Sequence, residues 1–387
     1  MRRFVYVSLI LAAVSNSYGF EPRLFGYFEP QLMGGELDGE FKTLYSNKLR
    51  IDIEAVPSTG IKFGANVNYF NYSGETTYSI LDYLPYDLTT EVYPGTEDNY
   101  RFAFADSIAL DNVYLRMSFK SADLTVGKQQ ISYGTGYAWN PTDLFNLKDV
   151  LDPTYEQTGH NAVRLDVQIK PGFNVTGLYA PGEEWDRPTA LFRLKTRMRR
   201  FDLSFSGMTT QWLSTSYPSL TAIEEWRRLV GCDLVGQLLG LGVWAEAAYN
   251  EMESSDNFWE GAAGFDYTFR SELYVLGEVY YNSGVPESSE DYTLADWMRY
   301  FTGENKTLGR SQAYLFLQYP VTDLVSLGSS IIGCINDESV ALVPQLYYSL
   351  FQDVELTAYG NFYVGDEGTM YSKDLGNGGL IRLRVYF

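Results

Sequence analysis

With 29 basic against 49 acidic side chains in 387 residues, the chain carries a formal net charge of −20 and repels a phosphate backbone, which excludes nucleic acid as a partner. One His excludes zinc centres built on several imidazoles, and no nucleophile-elbow or phosphate-loop glycine motif is present. Beyond the N-terminus no apolar run is long enough to cross a bilayer as a helix; the best, Leu234 to Ala248, is broken by Gln237 and Glu246.

The elements begin with Met1-Arg2-Arg3, an apolar run from Phe4 to Val14, and small residues at Ser17 and Gly19. This is the pattern of a secretory signal peptide, residues 1–19, cleaved after Gly19. Residues 20–387 then repeat one motif from end to end: segments of roughly ten residues that alternate apolar with polar side chains. Leu49, Ile51 and Ile53 oppose Lys48, Arg50 and Asp52, and Val163, Leu165 and Val167 oppose Arg164, Asp166 and Gln168. A wall with hydrocarbon on one side and water on the other requires this period of two. The expected fold is all-β, a transmembrane antiparallel up-and-down β-barrel formed as a single domain.

Eight short connections, such as Lys120-Ser121-Ala122 and Lys170-Pro171-Gly172, alternate with nine outer links, the largest at 74–105, 132–159 and 286–307. That count gives about 18 strands with both termini on the turn side. Sixteen is the alternative, because the stretches Glu224 to Val235 and Val321 to Cys334 are weakly patterned. Cys232 and Cys334 fall on separate strands, so no bridge is expected. Lys128 breaks the alternation of its segment and calls for a bulge or an early strand end.

The third outer link carries Trp139, Asn140, Pro141, Asp143, Asp149 and Asp152. Asn140 before Pro141 reads as a helix N-cap with Pro in the first turn, and Gly134 and Gly136 permit a sharp fold ahead of it. Gly127, Gln129, Gly134, Gly136, Trp139, Asn140, Pro141, Thr142, Asp143 and Phe145 resemble a segment of poorly characterised porin-like β-barrels of Gram-negative outer membranes. The resemblance covers a stretch of about 20 residues, which contains these ten positions. It implies an integral outer-membrane channel, with lipid and lipopolysaccharide around it and no cofactor, and says little about substrate. By analogy with general diffusion porins, this loop folds inward as a constriction, small hydrophilic solutes pass, and a homotrimer forms.

Charges on the water-facing set divide by sector. Arg193, Lys195 and Arg197 share one face of a strand, and four cations including Arg199 cost roughly 2–4 kcal/mol each near a bilayer midplane, so they point into the lumen. Arg164, Arg116, Arg382 and Arg384 extend this basic wall, while Glu246, Glu260, Asp266 and Glu278 form an acidic one facing it. Such opposed rings set selectivity in water-filled pores. Lumen aromatics Tyr114, Trp244, Tyr274, Tyr280, Tyr314 and Tyr359 form a candidate stacking track for sugars. Two further readings stay open: a non-conducting surface barrel that binds a partner through its acidic loops, and a channel selective for sugars or organic anions.

The final segment ends at Phe387. Ile381, Leu383, Val385 and Phe387 lie on one face and Arg382, Arg384 and Tyr386 on the other. This strand resembles the C-terminal signal by which outer-membrane barrels engage their assembly machinery.

Overall fold

A computed structural model describes residues 22–37, 39–182 and 187–387. The signal peptide expected at 1–19 and the acidic residues Glu183 and Glu184 lie outside the described residues. In chain order the strands are β1 (Arg23–Leu37), β2 (Glu40–Ser58), β3 (Ile61–Gly74), β4 (Thr77–Ser79), β5 (Arg101–Ala103), β6 (Ser107–Ser118) and β7 (Ala122–Gln130). There follow β8 (Gly159–Lys170), β9 (Phe173–Ala180), β10 (Thr189–Met198), β11 (Phe201–Ser216), β12 (Thr221–Leu238) and β13 (Leu241–Met252). The last are β14 (Phe258–Thr268), β15 (Tyr274–Asn282), β16 (Ser311–Pro320), β17 (Val325–Cys334), β18 (Ser339–Phe351), β19 (Val354–Val364) and β20 (Gly378–Tyr386).

All except β4 and β5 belong to one sheet of 18 strands, each antiparallel to its neighbours. Closure comes from β1 pairing with both β2 and β20, and Gly26 and Phe387 exchange backbone N–H···O bonds at 3.0 Å. β4 and β5 form a separate hairpin inside the second outer link. The stretches that left sixteen strands open are full strands, β12 and β17. The pattern in β12 is blurred because its outer half carries charge on both faces: Arg227 is buried against Asn250, while Arg228 is exposed beside Glu251. In β17 Gly328, Ser329 and Ser330 blur it instead.

The side-chain period sorts the two solvents as expected. Ile381 (54% exposed) and Phe387 (63%) face outward from β20, while Arg382 and Arg384 turn in and pair with Glu29. Trp259 and Tyr281 stack on the outer face with ring centroids 4.5 Å apart, as aromatics do near a membrane rim.

Two expectations fail. Outer links are not uniformly longer than turns: those at 38–39, 217–220 and 335–338 are as tight as the connections at the other end. At the first two, long strands (15 and 19 residues for β1 and β2; 16 and 18 for β11 and β12) continue as hairpins and leave little chain to link. No bulge accommodates Lys128 either: β7 pairs with β8 without a register break through Gln130. Lys128 is instead two residues from the strand end, within reach of water for a long side chain. Gly127 beside it takes φ +117°, a backbone that L side chains rarely adopt.

The second, seventh and ninth outer links pack one apolar core around Leu84, Tyr100, Leu294, Trp297, Leu308 and Tyr371, continuous with Trp139 of the third link and with Trp244, Tyr280 and Tyr314 of the barrel wall. Its helix, Leu294–Phe301, starts at a capping box in which Thr293 and Asp296 satisfy each other's backbone N–H. Trp297 and Met298 from that helix are buried in the core.

Candidate functional site

The third outer link, residues 131–158, tours the lumen, and three carboxylates of the wall and the loop dictate its path. Glu246 on β13 accepts from the backbone N–H of Thr135 (2.7 Å), Gly136 (3.3 Å) and Thr142 (2.5 Å), and from the Thr142 hydroxyl (2.7 Å). Glu278 on β15 accepts from the N–H of Tyr137 (2.6 Å), Ala138 (3.0 Å) and Trp139 (2.9 Å), and from the Trp244 indole (2.6 Å). The loop then passes β16–β18 and reaches the opposite wall. There Glu156 accepts from Lys48 of β2 (2.6 Å), Arg384 of β20 (2.6 Å) and the Tyr27 hydroxyl of β1 (2.9 Å).

The glycines fit this course. Gly134 has φ +87°, and a Cβ at Gly136 would collide with the Trp139 carbonyl. The helix expected at Asn140-Pro141 does not form. The N–H groups of Phe145 and Asn146, which a helix from Pro141 would bond to its own carbonyls, go to the Asp143 carboxylate, while the N–H groups of residues 137–139 and 142 are held by Glu278 and Glu246 along the wall. Asp143 closes a turn instead, accepting from the N–H of Phe145 (2.8 Å), Asn146 (3.2 Å) and Tyr133 (3.2 Å). Burial pushes the Asp143 carboxyl above the usual carboxylate range against these bonds. Trp139 stacks on Tyr280 at 5.4 Å; Trp139, Asn140, Pro141 and Asp143 are all buried and fix the loop to the wall.

The acidic wall is on the lumen side by register, but most of it meets protein rather than open water. Glu246, Glu260 and Glu278 are 3, 2 and 2% exposed. Glu260 sits between Arg227 (3.5 Å) and Lys306 of the seventh link (2.9 Å) and accepts from the Tyr280 hydroxyl (2.5 Å). Asp266, half-buried, accepts from Tyr274 (3.2 Å). The sugar track is dismantled for the same reason: Trp244 and Tyr280 are buried and committed to Glu278 and Glu260.

The basic residues do enter the lumen, with partners alongside rather than across. Arg193 pairs with Asp233 (2.7 Å), two strands away on β12, and lies over the Tyr133 ring. Lys195 and Arg197 pair with Asp202 of the next strand (3.2 and 2.9 Å), and Arg164 pairs with Asp166 of its own (2.8 Å). The facing walls of opposite charge are therefore replaced by short-range pairs, because attraction falls with distance and neighbouring strands are only about 5 Å apart. Arg116 is bonded to the Thr125 hydroxyl (3.4 Å) and makes no ion pair among the described residues.

Sequence reasoning missed Glu29 and Asp233, both nearly fully buried; the face that Glu29 shares with Tyr27 was the available signal. At Glu156, burial alone would raise the carboxyl, but Lys48 and Arg384 outweigh it and hold it at about 2. Burial pulls the Lys148 ammonium below its usual range, where it donates to the carbonyls of Gly136 (2.7 Å) and Tyr137 (2.8 Å).

Three cavities lie along the inner wall, two of them bordered by the loop. One of about 420 Å³ is lined by Arg50, Asn66, Asn112, Arg116 and Arg164, and one of about 590 Å³ by Tyr133, Asp166, Arg193 and Lys195. The third, about 320 Å³, lies between the loop and the β16–β18 wall, with Asp149 and Asp152 on its rim.

No protein-family model and no curated protein matches the chain. Solved structures do. OccAB2 of Acinetobacter baumannii superposes with a TM-score of 0.59 at 9% identity, over 95% of this chain and 98% of that one. OccAB1 of the same organism gives 0.58 at 9%, over 95% and 96%, and OccAB4 gives 0.57 at 10%, over 95% and 97%. At these identities the likeness is one of fold. The chain is an integral β-barrel with the architecture of the outer-membrane porin-type barrels.

Proposed function

We propose that this barrel is a passive outer-membrane channel for small hydrophilic solutes, narrowed by its third outer loop. One observation carries the reading: residues 131–158 are held inside the wall at Glu246 and Glu278 on one side and by Glu156 on the other, with polar cavities left beside them. An 18-stranded barrel is wide enough to conduct unless filled, and a loop held to its inner wall suits a constriction. Lumen cations without a full complement of acids, such as Arg116, favour anions over cations of similar size. The reading entails a barrel seated among lipid and lipopolysaccharide, with β20 as the handle for the assembly machinery and three copies as the working unit.

Single-channel recording of the purified chain in a planar bilayer tests it. Steady open-channel steps are expected. A bilayer that stays sealed at all voltages, with the protein folded in it, would instead favour a surface barrel whose packed outer links dock a partner.

A further inference from the structure

We infer that the cavity between the third loop and the β16–β18 wall is a binding subsite for neutral polyhydroxylated solutes of the size of a mono- or disaccharide. This inference rests on the channel reading and names a solute class for it.

The wall of this cavity is neutral and rich in hydrogen-bonding capacity. Tyr314 and Ser330 hydroxyls lie 2.9 Å apart, Gln345 donates to the Ser330 oxygen at 2.9 Å, and the Tyr347 hydroxyl donates to the Gln345 carbonyl oxygen at 2.8 Å. Tyr314, Ser330 and Gln345 are nearly buried and hold one another, which leaves the second amide proton of Gln345 and the oxygen of the more exposed Tyr347 for a solute hydroxyl that accepts and donates. The surfaces around Arg193 and Arg384 are ionic by contrast.

The loop side supplies a platform. Tyr137 is 47% exposed, yet its ring is held at 6.3 Å and 19° from Phe316 and at 5.6 Å from Tyr314. A half-exposed ring fixed from behind offers a face to the C–H side of a sugar ring, while the hydroxyl edge meets Gln345 and the loop carboxylates. Asp149 and Asp152 are strong acceptors for hydroxyl protons.

Charge argues against simple ions. Asp149 and Asp152 outnumber Lys148, whose ammonium is already held by the Gly136 and Tyr137 carbonyls, so an anion meets two carboxylates and a cation must give up its water to a wall whose other polar groups are neutral. A neutral solute meets neither penalty. The cavity, about 320 Å³, falls at the small end of the range for ligand pockets.

Current block by glucose and maltose, in planar bilayers holding the full chain, tests the assignment, with ethylene glycol oligomers, arginine and succinate as comparison solutes. Saturable block by the sugars alone is expected. Tyr137→Ala should raise the half-blocking concentration about fivefold and Tyr137→Phe should not, block being read as a fraction of each variant's own open-channel current. A conducting channel that sugars do not block saturably overturns the subsite and leaves the channel reading intact. Saturable block by arginine or succinate, and not by sugars, overturns the solute class. A folded protein that never conducts removes both readings together.

Discussion

Glu246 grips Thr142 twice, through the peptide N–H at 2.5 Å and through the hydroxyl at 2.7 Å. The same carboxylate takes the N–H of Thr135 at 2.7 Å, so one side chain of the wall pins two points of the loop seven residues apart. Glu246→Gln replaces one of those acceptor oxygens by an amide that meets N–H donors. The loss of a buried, charged acceptor costs about 1–3 kcal/mol locally. The expected result is a noisier channel with larger mean conductance in single-channel records, at unchanged barrel content by circular dichroism. Identical records from variant and wild type would show that this clamp does not govern the passage.

The opposite tether has a defined pH window. The Glu156 carboxyl, at about 2, lies below its ordinary value of 4.5. A carboxyl lowered in the folded state contributes stability that is full above pH 4.5 and fades as pH falls toward about 2. Wild-type conductance should therefore match at pH 7 and pH 5 and change only as the window is crossed, whereas Glu156→Gln should show the acid-state record already at pH 7. A wild-type transition centred near neutrality would place the controlling group elsewhere.

Ion selectivity should follow the basic sector. Arg116→Gln combined with Lys195→Gln removes two lumen cations, one without an acidic partner among the described residues and one paired to Asp202 at 3.2 Å. The zero-current potential in a salt gradient is expected to move toward cation preference, and more at low salt, where screening is weak. No movement at either salt concentration would exclude this wall from the selectivity of the pore.

Val279 tests the membrane assignment itself. It is 55% exposed, points outward from the middle of β15, and lies between Ala263 and Ala313 on the neighbouring strands. Val279→Arg should cost roughly 2–4 kcal/mol of folding free energy in phospholipid vesicles, measured by reversible denaturant unfolding. A cost near zero is incompatible with hydrocarbon against that face.

The wall was readable because a period of two leaves no choice: once Ile381 faces lipid, Arg382 and Arg384 cannot. Positions of the three longest links were readable for the same reason, as interruptions of the pattern. What stayed hidden depends on partners far apart in the chain. Glu278 and Asp266 look alike in sequence; one is sealed under the N–H groups of residues 137–139 and the other keeps a tyrosine hydroxyl and partial exposure. The Asn140-Pro141 signal was sound local chemistry, but Asp143 takes the N–H groups of Phe145 and Asn146 that would continue a helix, and Glu246, about a hundred residues away, fixes the path at Thr142. Pairing among Arg193, Asp233 and Ser204 likewise needed the register of three strands, which alternation alone does not supply.

The seam between β1 and β20 joins Gly26 to Phe387, residues at nearly opposite extremes of the chain. Until those two segments meet, the unfinished cylinder exposes two raw ladders of N–H and C=O groups, each a template for a neighbouring molecule. Their encounter closes a loop running from Gly26 to Phe387, far longer than any local hairpin, which makes it slow relative to those hairpins. Productive assembly thus favours surroundings that shield both margins while the intervening hairpins form, and dilute refolding should outperform concentrated refolding by a margin that grows with protein concentration.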